Sequence, residues 1–176
     1  MTALQLTFIV EPALSLYLSF SLYFMSQHNI DRILYPELQM FHRNAIQCRF
    51  GDYDAFRHVN NNAILAYFDI GKTEFFRDLT GHSLTPDQLG AVIVNINIDF
   101  LAPVKVGVQV EVLTAVVNVG QRSFTLYQRL VDTHDRSIKA QATTTLAGFD
   151  ISTQTASDLS PALLAALEPC VSHRQV

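Results

Sequence analysis

From residue 40 onward, apolar and polar positions alternate in runs that predict strands, interrupted by one stretch with helical spacing. Residues 91–100 carry the clearest pattern. Val92, Val94, Ile96, Ile98 and Phe100 are set against Ile93, Asn95, Asn97 and Asp99, the period of two expected of a sheet with one buried face. Residues 108–118, 123–133 and 137–149 read as three further strands in succession, joined by the NVGQR and HDR turns, and residues 41–50 as a first strand that stops at Gly51. Across 62–79 the residues Ile64, Tyr67, Phe68, Gly71 and Phe75 recur at three- and four-residue spacing, while Asp69, Thr73 and Arg77 line the opposite side. Leu65, Ala66, Ile70 and Phe76 widen the apolar face, so this helix is expected to be covered over most of its circumference. Gly81 supplies its stop, and Pro161 opens a short terminal helix over 160–168.

The order strand, helix, four strands predicts an α+β fold in which a curved antiparallel sheet of about five strands wraps one long central helix, burying both apolar surfaces. With 176 residues the chain is expected to hold one domain, at 40–150, between an apolar N-terminal extension at 1–39 and a C-terminal tail at 151–176.

Composition changes this picture in three ways. A chain that is 49% hydrophobic and 16% charged is apolar for a monomer of this size, so a partner subunit is expected to cover part of its surface. A net charge of −4 argues against nucleic-acid binding, which needs clustered Lys and Arg. Cys48 and Cys170 stand in unrelated contexts, and the six histidines show no HxxxH or HExxH spacing, so neither a disulfide framework nor a metal site is expected. The stretch 4–25 is very apolar yet contains Glu11 and Pro12, and no Lys or Arg precedes Arg32. It fails the signal-peptide pattern, and residues 12–25 fall short of the ~20 apolar residues a membrane span needs. A cytoplasmic protein without stable membrane insertion is expected. The stretch then either precedes a functional start at Met25 or Met40, or makes a peripheral membrane or partner contact.

The chemistry concentrates in GDYDAFRHVNNNAILAYFDIGKTEFF, residues 51–76, which joins a strand end, two acids, a histidine, an asparagine-rich helix start and an aromatic helix face. This resembles the 4-hydroxybenzoyl-CoA thioesterase-like branch of the hotdog superfamily, whose members carry a GDxDxxxHVNN-type signature. The likeness runs over 41–149 and includes IDFLAPVKVG and VGQRSF, which stand where that family has its Y/F-x-x-P-x-x-x-G and G-x-S-F-like segments.

The resemblance implies hydrolysis of acyl-coenzyme A thioesters with no cofactor, at a site lying on a dimer interface, in a homodimer or a homotetramer. It implies that Asp54 acts on the thioester, by attacking the carbonyl carbon or by activating water. A helix N-terminus beside it offers unpaired N–H groups to the developing oxyanion, with the Asn61 N–H the candidate donor by its place in the motif. His58 either hydrogen-bonds near the thioester or satisfies a loop carbonyl, and Asn60 caps the helix and frames the site. Tyr67, Lys105 and Arg122 are the remaining candidates for substrate binding, the two basic residues for the nucleotide phosphates. Asp52 is expected to make a turn hydrogen bond. Asp69 and Lys72 read as a solvated helix pair, and Glu74 is a second possible carboxylate. The sequence departs from the family at Arg57, where many relatives have glycine, so the loop is expected to take a different path. Three alternatives remain open: a non-catalytic module binding acyl-CoA or acyl-carrier protein, an acyl-carrier-protein thioesterase, and a hydratase, whose glycine-rich histidine segment is missing here.

Overall fold

The computed structural model of the chain describes residues 42–81 and 89–171. The expected extension 1–39, its apolar stretch and most of the loop after the helix lie outside them. Six strands form one curved antiparallel sheet: β1 (His42–Ile46), β2 (Ala91–Phe100), β3 (Val110–Val119), β4 (Ser123–Asp132), β5 (Ile138–Asp150) and the two-residue β6 (Thr155–Ala156). Their order across the sheet is β1-β3-β4-β5-β2, with β6 added beside β5. The bounds of β2 are those the alternation predicts. By contrast β1 is half the expected length, because its ladder partner runs out: Ile46 lies opposite Val110, the first residue of β3.

The long helix α1 (Asn61–Leu79) starts where Asn60 caps it, its side chain accepting from the Asn62 N–H at 2.8 Å. It buries Ile64, Tyr67, Phe68, Gly71, Phe75 and Phe76, the stripe its spacing predicts. It packs chiefly on β3, β1 and β4. The closest approach is at Gly71, where a Cβ would lie 2.4 Å from Val112 Cγ1. Beside this contact the buried Gln128 side chain reaches from β4 to the Phe68 carbonyl at 2.9 Å and to Thr114 Oγ1 at 3.1 Å, so a polar residue sits in the core with partners on helix and sheet.

Two apolar clusters flank that seam. One joins Ile64, Tyr67 and Phe68 to Val104, Val110, Val112 and Leu130. The other joins Phe75 and Phe76 to Phe124, Leu126 and Leu146, and takes in Leu163 and Leu167 of a second, short helix, α2 (Pro161–Leu167). Ser160 caps α2 by accepting from the Leu163 N–H at 3.2 Å. The core is therefore shared by two helices, and the compact fold reaches beyond residue 150.

The sheet departs from expectation at β2. A register shift between Ile93 and Asn95 breaks the simple alternation, and most of the face predicted to be buried is open: Val94 is 59% and Phe100 45% exposed, while Ile98 packs against the core. Among the described residues β2 is the last strand in the order, hydrogen-bonded on one side by β5, and it presents apolar side chains to the surroundings.

The loop between β1 and α1 turns at Arg57 with a positive φ. That arginine itself takes the left-handed conformation, with φ of 63°, which a glycine holds without strain.

Two substitutions should move stability in directions that composition alone would not give. Gly→Ala inside a helix ordinarily adds about 1 kcal/mol, but Gly71→Ala should lose about 1–3 kcal/mol, because Val112 on β3 must give way. Arg57→Gly should gain about 1 kcal/mol by relieving the left-handed strain, offset in part by glycine's greater freedom in the unfolded chain. Urea unfolding of both variants beside the parent checks the two signs.

Candidate active site

The site is built from the loop that leads into α1. A 3-10 turn at Phe50–Asp52 closes as the Asp52 N–H donates to the Arg49 carbonyl at 3.0 Å and the Arg49 N–H donates to Asp52 Oδ2 at 2.7 Å. The chain then doubles back on itself. Tyr53 bridges Val59, the Asp54 N–H donates to the His58 carbonyl at 2.8 Å, and the Asn60 N–H donates to the Asp52 carbonyl at 2.8 Å. The returning limb is also pinned to the segment before β3, the Val59 N–H donating to the Val104 carbonyl at 2.9 Å while His58 bridges Lys105. Such mutual pairing makes a stiff loop from residues that, as an isolated peptide, would have many conformations to lose.

At the tip, Asp54 Oδ1 accepts from the N–H groups of Phe56 at 2.8 Å and His58 at 3.2 Å. Those bonds orient the carboxylate, and neither engages its second oxygen, Oδ2. The Arg57 N–H closes the tip by donating to the Asp54 carbonyl at 3.0 Å. Asp54, His58 and Asn61 line one cavity of about 260 Å³, whose other wall is the segment from Phe100 to Pro103. Asn61 is the first residue of α1, so its N–H has no acceptor within the helix and lies at the positive end of the helix dipole.

Three of the residues expected from sequence are thus brought together, and four are placed elsewhere. Asn60 does not line the cavity and acts as the helix cap. Tyr67 is 3% exposed, and its hydroxyl donates to Asp52 Oδ2 at 2.7 Å. Lys105 stands next to the site through its backbone bridge to His58. Arg122, in the β3–β4 turn, pairs with Asp158 at 2.9 Å, which together with Gln121 holds that carboxyl below its usual range. Asp52 makes its turn bonds with Arg49, and besides them its Oδ2 accepts from the Tyr67 hydroxyl and its carbonyl from the Asn60 N–H. Backbone donation from Arg49 and the Tyr67 hydroxyl hold its carboxyl below the ordinary value, while burial works in the opposite direction.

Lys72 and Asp69 pair at 2.6 Å, with Asp69 exposed but the Lys72 side chain largely covered, so the pair is only half solvated, and Glu74 pairs with Arg77. Glu74 lies roughly 20 Å along the helix axis from Asn61, too far to share a carbonyl with Asp54 in the same chain. The wall from Phe100 to Pro103 was not singled out among the site residues from sequence. Its signal was present in the F-x-x-P spacing of IDFLAPVKVG, which placed the segment in the family without saying that it faces Asp54. Two aromatic side chains near the loop stand out in solvent, Phe50 at 98% and Phe56 at 79% exposure. Among the described residues, no three His, Cys, Asp or Glu side chains gather in a manner that would hold a metal ion, and no helix is long and apolar enough to cross a membrane.

Comparison with known proteins agrees with this architecture. Residues 48–167 match the family model of the thioesterase-like superfamily. No curated protein matches the sequence at a significant level. Among solved structures, a predicted thioesterase from Bacillus stearothermophilus superposes with a TM-score of 0.68 at 21% identity, covering 75% of this chain and 97% of that one. A thioesterase from Thermus thermophilus complexed with coenzyme A and Zn gives 0.62 at 22% identity, covering 72% and 96%. A 1,4-dihydroxy-2-naphthoyl-CoA thioesterase from Synechocystis gives 0.65 at 16% identity, covering 73% and 96%. At these identities the structures establish a shared fold, and the family match, spanning the loop, both helices and the whole sheet after β1, establishes kinship: the chain belongs to the thioesterase-like superfamily.

Proposed function

We propose that the chain hydrolyses acyl-coenzyme A thioesters. The observation that carries this reading is the meeting of Asp54, His58 and Asn61, the first residue of α1, at one cavity. A thioester carbonyl placed there would have a carboxylate on one side and an N–H donor at a positive helix end on the other. Asp54 Oδ2, the oxygen left over by the loop bonds, is the atom assigned to the reaction. It either attacks the carbonyl carbon, giving an acyl-aspartyl anhydride that water then cleaves, or takes a proton from an attacking water. In both routes negative charge grows on the carbonyl oxygen, the Asn61 N–H receives it, and the coenzyme A thiolate departs. One such donor is worth roughly 3 kcal/mol of barrier lowering in other hydrolases. His58 is assigned to the cavity wall, where it hydrogen-bonds near the thioester.

A cavity of about 260 Å³ accommodates the reacting end of an acyl-CoA and little more. The remainder of the site is assigned to a second subunit docked along β2, whose apolar side chains stand open and whose end leads into Phe100 and the cavity wall. The working form is then a homodimer, or a homotetramer of paired dimers, in which the sheet closes around α1 as the central helix of residues 40–150. Lys105 is assigned to the nucleotide phosphates. Arg122 would join it only by exchanging Asp158 for a phosphate. The two free cysteines, Cys48 and Cys170, agree with a reducing cytoplasmic setting.

Thiol release from short, long and aromatic acyl-CoAs tests the proposal, with Asp54→Asn measured beside the parent. The parent should turn over at least one class, and the variant should lose at least about a hundredfold in kcat. Two folded proteins that release no thiol would overturn the hydrolase reading and leave a binding module. Ile96→Lys, on the open face of β2, should convert a dimer to monomers in sedimentation velocity and lower activity with it, whereas an unchanged dimer would remove β2 from the interface.

A further inference from the structure

Asp52 and Asp54 stand two positions apart in one loop, yet their carboxylates have different partners. Asp54 Oδ1 holds the loop tip through Phe56 and His58. Asp52 looks toward the helix, its Oδ2 accepting from the Arg49 N–H and from the Tyr67 hydroxyl, each at 2.7 Å, while its carbonyl accepts from the Asn60 N–H at 2.8 Å. One residue therefore gathers donors from the start of the loop, from the helix cap and from the second turn of α1.

We infer that Asp52 and Tyr67 are positioning residues for the reaction, fixing Asp54 against the N-terminus of α1; this rests on the thioesterase reading above. A rigid helix held to the loop at one point could still pivot about it. Held at Asn60 and again at Tyr67, roughly 10 Å further along the axis, it cannot. The loop tip with Asp54 and the first N–H of α1 with Asn61 then keep one separation, the quantity on which attack and oxyanion stabilisation both depend. Tyr67 is suited to this and not to direct contact with substrate: it is almost fully buried, packs in the cluster with Ile64 and Phe68, and does not line the cavity. The charged and titratable groups around the pair are few. The Cys48 thiol lies against both Tyr67 and Tyr53, and Arg49 stands beside Asp52. Burial, followed by the Asp52 carboxylate and then Cys48, pushes the Tyr67 hydroxyl far above its ordinary pKa, so it stays a proton donor to an ionised acceptor.

Tyr67→Phe removes one donor and keeps the buried ring. It should lower kcat by about tenfold with KM changed less than about twofold, since the ground-state contacts of the substrate are untouched. Hydrogen exchange followed by mass spectrometry should show residues 49–60 exchanging about tenfold faster and β4 unchanged. Asp52→Asn, which keeps an acceptor oxygen, should fall between the parent and Asp52→Ala in both measurements. A Tyr67→Phe enzyme with parental kcat would overturn the inference and leave the hydrolase reading standing. A parent without thiol release would sink that reading instead, and exchange would then decide the inference by itself: acceleration confined to 49–60 supports it, while parental exchange, or acceleration spread through the sheet, overturns it.

Discussion

The separation between α1 and the sheet is set where the helix backbone at Gly71 rests on Val112. A side chain at that position would lift the helix, and the two apolar clusters on either side would then lose contact together. Gln128 reinforces the same seam by hydrogen-bonding to the helix carbonyl of Phe68 and to Thr114 at once, so sliding the helix along the sheet would strand a buried amide. Fixing α1 in this way fixes both of its ends. One end receives α2 and the C-terminal segment, and the other stands over the loop that carries the acidic residues.

That second end shows how a short loop divides its work. Asn60 satisfies the helix start, Asp52 ties the loop to the helix, and Asp54 remains at the tip with one oxygen uncommitted to the loop. Carboxylates this close in sequence differ in role because their surroundings differ: one is held by a buried phenol and a backbone N–H, the other by two N–H groups of its own turn beside a cavity. The left-handed Arg57 answers the same shortage of space. The tip turns back within a few residues, and one of them must take positive φ whatever its side chain.

Much of this was legible in the residues alone. Alternation gave β2 its bounds, three- and four-residue spacing gave the buried stripe of α1, and the GDxD…HVNN run located the loop, because each pattern reflects a local periodicity or a local cap. What remained hidden depends on neighbours distant in sequence. The short β1 follows from where β3 begins. The burial of Leu163 and Leu167, which extends the fold past residue 150, follows from the space left beside Phe75 and Phe76. Tyr67 shares the apolar stripe with Phe68 and reads as core or pocket lining, and only the folded loop reveals the carboxylate opposite its hydroxyl. Alternation in β2 correctly marked apolar positions but could not tell an internal surface from one left open at a sheet edge.

The open edge of β2 has a further consequence for the life of the newly made chain. Its sequence AVIVNINIDF holds a single charge, Asp99, and neither lysine nor proline, the residues that discourage one sheet edge from adding to another. Until something occupies it, this strand is a template for indiscriminate strand addition, and the danger grows with temperature and with the time spent alone. Solubility should therefore fall as the concentration of half-folded chains rises.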